Sequence, residues 1–192
     1  HMDCTTTSRA REIPIPDHPN PPKQLRSMEE PWGLPADRMS SADNKRVEMY
    51  NDIIVWTADV FEEVTKLHNL GACESPKNCY LWPCFKKLEK FQVWTEQDEN
   101  GNWRDTHFSS CCLGGARRKD ETIRHNIDEL EDIESKCKHL HDPEEYTVMR
   151  NPNTKEWIYP TKEEAEFTAE LAFSIAVAVS WAMMRLGRMR QR

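Results

Sequence analysis

Cysteine and histidine gather in one short stretch of this sequence. Cys137-Lys138-His139-Leu140-His141 puts three ligand-type side chains within five residues, and Cys111-Cys112 lies upstream. Thiolate and imidazole are the common protein ligands of zinc, and four of them close a tetrahedral site. Cys112, Cys137, His139 and His141 are therefore candidate zinc ligands. The Cys-x-His-x-His run lacks the usual two-to-four-residue ligand gap. Cys79 and Cys84 read as core or loop thiols.

Three further stretches stand out by residue type. The first is Asp3-Cys4-Thr5-Thr6-Thr7-Ser8-Arg9-Ala10-Arg11. The second is Glu74-Ser75-Pro76, at the end of an expected strand. The third is Cys112-Leu113-Gly114-Gly115-Ala116-Arg117-Arg118-Lys119, followed by Thr122 and Asn126. Taken singly, each has a plain explanation. A lone cysteine in a threonine-rich loop is an ordinary thiol. Glu74 is a surface carboxylate, and a short basic run is a solvated turn.

Taken in order, the three stretches resemble cytosine-5 methyltransferases. That family has a Pro-Cys loop, then a Glu-Asn-Val strand end, then a Gly-x-x-Gln-x-Arg-x-Arg hairpin. The likeness is nearer to a divergent phage and mobile-element branch. There the loop reads like Pro-Cys-x-x-Phe-Ser-x-Ala-Arg, and the strand end is Glu-Asn-Pro followed by a Ser and Leu-Trp. The hairpin there reads Cys-x-x-Gly-x-x-x-x-Lys-x-Thr. Leu25-Arg26-Ser27, Pro31-Trp32-Gly33-Leu34 and Leu81-Trp82 match further parts of that pattern. Similar cysteines and histidines also recur in that branch near the Cys137 stretch.

The resemblance implies a mechanism and roles. A cysteine thiolate adds to carbon 6 of cytosine and makes carbon 5 nucleophilic, while a carboxylic acid holds the ring nitrogen. Cys4 is then the nucleophile and Glu74 the base-binding acid. Arg9, Arg11, Arg117, Arg118 and Lys119 are the nucleic-acid contacts. Asp3 stands where the family has proline, Thr7 where the branch has phenylalanine, and Ser75 where both have asparagine. The six glycines include no Gly-x-Gly, and nothing resembles the S-adenosylmethionine-binding half. S-adenosylmethionine would need sequence outside this chain. The implied function is a degenerate methyltransferase-like module of a larger protein, acting on or near nucleic acid and inactive alone. The alternatives are an active DNA (cytosine-5) methyltransferase portion completed by missing sequence, and a non-catalytic structural or partner-binding subunit.

Those residues need elements to position them. Residues 1–40 hold seven of the twelve prolines and read as an extended loop docked on the body through Leu25, Trp32 and Leu34. Ser40 with Asp43 signals a helix start. Val47, Tyr50, Ile54, Ala58, Phe61 and Val64 then recur on one face. The helix is expected over residues 43–70, with Gly71 as a left-handed stop. A strand over Ala72-Cys73-Glu74 ends at Pro76, and a short helix covers 83–90. Strands are expected at 91–95, 103–108 and 122–125, and a polar helix at 128–137. Thr161-Lys162-Glu163-Glu164 reads as the cap of a helix over 161–188. Phe167, Leu171, Ile175, Val179, Ala182 and Leu186 line its buried face. Phe173, Val177 and Trp181 form a second stripe that needs another neighbour. The expected fold is α/β, a partial Rossmann-like methyltransferase sheet with flanking helices. It forms one domain, residues 41–192, with the 1–40 loop docked on it.

Composition sets the setting. The formal net charge is −7, which argues against a free-standing nucleic-acid binder. Seven cysteines without a secretory pattern suit an intracellular, cytoplasmic or nuclear protein. The longest apolar run, residues 171–184, is shorter than the roughly 20 residues a spanning helix needs, so no membrane partner is expected. The expected partner is a missing half-domain or another protein subunit, with nucleic acid as a further one. His1-Met2 is either a tag remnant or native, and the chain reads as a fragment.

Overall fold

A computed structural model describes residues 6–13, 15, 17–88, 103–142, 146–158 and 167–187. The chain is mixed α/β. Its elements are α1 (Ser41–Lys66), β1 (Ala72–Pro76), α2 (Leu81–Lys86), β2 (Arg104–Ser109), β3 (Asp120–His125), β4 (Met149–Arg150), β5 (Trp157–Ile158) and α3 (Ala169–Arg185). A three-stranded sheet has the order β1-β3-β2, and β4 pairs antiparallel with β5. The chain divides into two compact units. The first holds residues 1–105 and 122–127, the second 106–121 and 128–192, so β2 and β3 contribute to both. This three-stranded sheet is the coarse α/β expectation without a Rossmann-like arrangement of parallel strands.

In the first unit, α1 starts where its sequence says. Ser40 Oγ accepts from the Asp43 backbone N–H at 3.1 Å and donates to the Asp43 carboxylate at 2.7 Å. One orphan N–H of the first turn, that of Asp43, is thereby satisfied, and the second bond fixes the cap side chain. Val47, Tyr50, Ile54, Ala58 and Phe61 are buried, as the periodicity requires, and Thr57 joins them. The C-terminal end differs from expectation. The helix stops at Lys66, and His68, not Gly71, takes the left-handed conformation at φ 51°. His68 N–H donates to Thr65 O, and Asn69 N–H to Val64 O at 2.9 Å. That pair of bonds closes the last turn. Gly71 serves close approach instead. A Cβ there would lie 2.9 Å from the Trp103 ring and 3.0 Å from Val64.

The residue after this turn is clamped by Asn126. Its Oδ1 accepts from Gly71 N–H at 2.8 Å, and its Nδ2 donates to Asn69 O at 2.7 Å. β1 then alternates, with Cys73 and Ser75 buried and Glu74 on the opposite face. The core of this unit packs Ile54, Ala58 and Phe61 of α1 against Cys73, Leu81, Cys84, Phe85 and Trp103. Cys79 and Cys84 are buried, as read from the sequence. Burial pushes the Cys73 thiol up to about 12 and the Cys84 thiol up to about 11, so neither is a nucleophile near neutral pH.

The proline-rich segment is anchored by Arg26, whose side chain is fully buried. Its Nη1 donates to Pro31 O at 2.6 Å and to Asn51 Oδ1 at 2.9 Å. Its Nη2 donates to Thr6 Oγ1 at 3.1 Å. Leu25 is buried beside it, and Trp32 packs on the core.

In the second unit the expected polar helix 128–137 is a shorter 3-10 helix, Asp128–Ile133, with Leu130 and Ile133 buried. α3 starts at Ala169, with Thr168 as its cap and the Leu171 N–H bonded to Thr168 Oγ1 at 3.1 Å. The expected cap at Thr161-Glu164 and the strand at 91–95 lie outside the described residues. Leu171 and Ala182 are buried as expected, with Ala178 between them. Phe167 lies before the helix and is exposed, as is Leu186 beyond its end. The second stripe stays open: Phe173, Val177 and Trp181 are 71%, 37% and 56% exposed. α3 is tied to the 3-10 helix by Arg185, which donates to Glu129 at 3.0 Å and pairs with Asp128 at 3.1 Å. Among the described residues, no helix is long and apolar enough to cross a membrane.

Arg26→Ala leaves the half-buried Asn51 Oδ1 without its Arg26 donor and Pro31 O with only the Cys84 thiol. We expect it to destabilise the chain by about 3 kcal/mol, read from the urea midpoint. Arg26→Met restores volume but no donor, so it should recover only part of that loss. An unchanged midpoint for Arg26→Ala contradicts the anchoring role.

Candidate metal centre

The second unit brings four ligand-type side chains together. The donor atoms of Cys111, Cys137, His139 and His141 all lie within 4.8 Å of one another. Three of the four are the expected ligands. The fourth is Cys111, not Cys112. Both cysteines sit in the single-turn 3-10 helix Ser110–Leu113, where adjacent residues point in different directions. The doublet alone does not tell which sulfur turns inward.

This turn is built locally. It follows β2 directly, and Gly114 ends it at φ 83°, a left-handed conformation that glycine adopts freely. A Cβ on Gly114 would also run into Glu170 at the start of α3. Ser110 Oγ donates to Arg117 O at 2.8 Å and accepts from Lys119 N–H at 3.1 Å, closing the connection to β3. Cys137 is held by Ser109, whose Oγ accepts from the Cys137 N–H at 3.1 Å and donates to Asp120 at 2.7 Å. One hydroxyl thus couples the end of β2, the start of β3 and the Cys137 backbone.

The donors already interact. Cys137 Sγ lies 3.2 Å from His141 Nε2, and His139 N–H donates to Cys137 Sγ at 3.3 Å. The Cys111 and Cys137 sulfurs lie within 4.8 Å of each other. Desolvation raises the Cys137 thiol, but hydrogen bonds from Cys111, the His139 backbone and His141 outweigh it and lower it overall. Burial and the bond to Cys137 push Cys111 the other way, up to about 12. A tetrahedral ion would draw the donors to about 3.3–3.8 Å from one another, given bonds of about 2.0–2.3 Å. Closing from 4.8 Å needs an approach of about 1.0–1.5 Å shared between two side chains, so the cluster can hold a metal ion.

The other candidate residues fall elsewhere. Cys4 lies outside the described residues. Glu74 is half-buried on β1 in the first unit. Arg9 pairs with Glu12 at 2.9 Å, and Arg11 donates to Lys23 O at 3.1 Å. Arg118 pairs with Asp120 at 2.8 Å and Lys119 with Glu121 at 2.5 Å, so two of the three hairpin cations already face carboxylates. Sequence reasoning missed Tyr146, whose hydroxyl accepts from the Arg118 N–H at 2.9 Å, and the Ser109 link. A serine at a strand end carries no signal of that kind. No protein-family model, curated protein or solved structure matches the chain.

Ser109→Ala strips a partner from both the Cys137 N–H and Asp120. We expect a loss of about 1–2 kcal/mol in denaturant unfolding, because a buried donor is left unsatisfied. Ser109→Thr keeps the hydroxyl and should lose less. Equal losses for the two variants would show that packing, not the hydrogen bonds, sets the effect.

Proposed function

We propose that this chain is a degenerate cytosine-5 methyltransferase-like module, part of a larger protein acting on or near nucleic acid. The observation that carries this reading is the anchoring of the residues that follow Cys4. Tyr80 N–H donates to Thr7 O at 2.8 Å, and Arg26 donates to Thr6 Oγ1. The threonine-rich loop thus returns to the segment that follows Glu74-Ser75-Pro76. A thiol and a carboxylic acid that act on one base must meet in that way. In the active alternative, Cys4 would add to carbon 6 and Glu74 would hold the ring nitrogen. The methyl donor, S-adenosylmethionine, is bound by sequence beyond this chain.

Two further observations favour the degenerate form over the active one. Arg118 and Lys119 are paired with Asp120 and Glu121, and a phosphate would have to displace those carboxylates. The chain also carries a net charge of −7. The open groove beside α3, lined in part by Ile133, Phe173, Val177 and Trp181, supports a protein partner as well. The test is methyl transfer from labelled S-adenosylmethionine to cytosine-containing DNA. The expected result is no transfer by this chain alone. Turnover that disappears in Cys4→Ser would overturn the degenerate reading and establish the enzyme.

The metal of the second unit is, in our reading, zinc in a closed structural site. Two sulfurs and two imidazoles are a common set for tetrahedral structural zinc. The chain purified or refolded with zinc should hold one ion per molecule by elemental analysis. Cys111→Ser should lose most of it and Cys112→Ser should keep it. Equal loss in both variants, or none in either, contradicts the assignment of Cys111. Chelation should lower the thermal midpoint of the parent chain and leave that of Cys111→Ser unmoved.

A further inference from the structure

We propose that Cys111 and Cys137 are a hydroperoxide-oxidisable pair, so that oxidation joins the two sulfurs and expels the metal. This rests on the zinc reading of the same site. The geometry singles out these two sulfurs among the described cysteines. Their sulfurs belong to one donor cluster whose atoms all lie within 4.8 Å of one another. Neither is locked inside a long regular element. Cys111 sits in a single 3-10 turn that ends at Gly114, and Cys137 lies in irregular chain. Both can therefore rotate toward the roughly 2.05 Å of a disulfide.

Access follows from the same arrangement. Cys111 and His141 are partly exposed and His139 is exposed, so one side of the cluster opens to solvent. A molecule the size of hydrogen peroxide can enter there. Cys73, Cys79 and Cys84 are 8%, 2% and 0% exposed and lie in the core of the first unit, shielded from the same reagent. Cys112 is partly exposed and adjacent to Cys111 in sequence, but a disulfide between sequence neighbours needs a strained ring. Cys137 is the less strained partner.

The step balances. One thiolate attacks a peroxide oxygen, the O–O bond breaks, and a sulfenic acid and hydroxide form. The second thiolate attacks the sulfenic sulfur, the S–S bond forms, and hydroxide leaves. Two thiolates lose two electrons in total, and one hydrogen peroxide is reduced to two hydroxides. The ion then keeps only two imidazoles, too few to hold it, and departs. A thiol reductant with fresh zinc reverses the change.

The test uses the whole chain, reduced and loaded with zinc. It is titrated with hydrogen peroxide while a chromogenic chelator reports free zinc. Mass spectrometry with peptide mapping locates the bond. The expected result is release of one zinc per chain, loss of two hydrogen atoms relative to the reduced metal-free chain, and a Cys111–Cys137 link. Cys112→Ser should release zinc at the parent rate. If the chain takes up no zinc, the zinc reading fails and this proposal falls with it. If zinc binds but stays, or leaves with a Cys111–Cys112 bond or with sulfinic acids, the switch is overturned while the zinc site stands.

Discussion

The first unit depends on a buried guanidinium. Arg26 is out of solvent, and its hydrogen-bond partners are carbonyls, an amide oxygen, a hydroxyl and the Cys84 sulfur. Burial without a carboxylate beside it pushes its pKa down. Such a cation is tolerated because its two terminal nitrogens, Nη1 and Nη2, find acceptors on several segments, while Nε has none. Pro31 belongs to the proline-rich loop, Asn51 to α1, and Thr6 to the stretch after Cys4. One side chain therefore fixes how three segments meet. Asn51 extends the network by donating to Trp32 O at 2.8 Å, which seats the tryptophan ring on the core.

The second unit is organised on smaller pieces. Its 3-10 helices bury few side chains, and local hydrogen bonds shape the turn that carries Cys111. A metal bound at the cluster would add its binding energy to folding. Ser109, Ser110 and Gly114 shape the turn so that Cys111 faces Cys137. That dependence also explains why oxidation of the same sulfurs would be felt by the unit as a whole.

The methyltransferase-like reading and the metal site need not stand together. The first rests on an ordered set of short stretches and on the return of the threonine-rich loop to Tyr80. The second rests on donor distances. The self-paired hairpin cations weigh against strong phosphate binding in either case, because a carboxylate at 2.5–2.8 Å competes with any incoming anion.

The sequence by itself determined the local features. The cap at Ser40, the buried stripe of α1, the alternation of β1 and the gathering of Cys137, His139 and His141 follow from spacing that acts over a few residues. The mixed α/β class was legible for the same reason. What tertiary structure decided are choices between near-equivalents. His68 rather than Gly71 turns left-handed, because Gly71 is needed where Trp103 and Val64 leave no room for a Cβ. Cys111 rather than Cys112 joins the cluster, because a turn sends neighbouring side chains apart. Arg26 is buried rather than solvated, and Arg118 and Lys119 are neutralised rather than free for phosphate. Each of these depends on which distant segment supplies the acceptor or the steric wall, and local spacing carries no record of that.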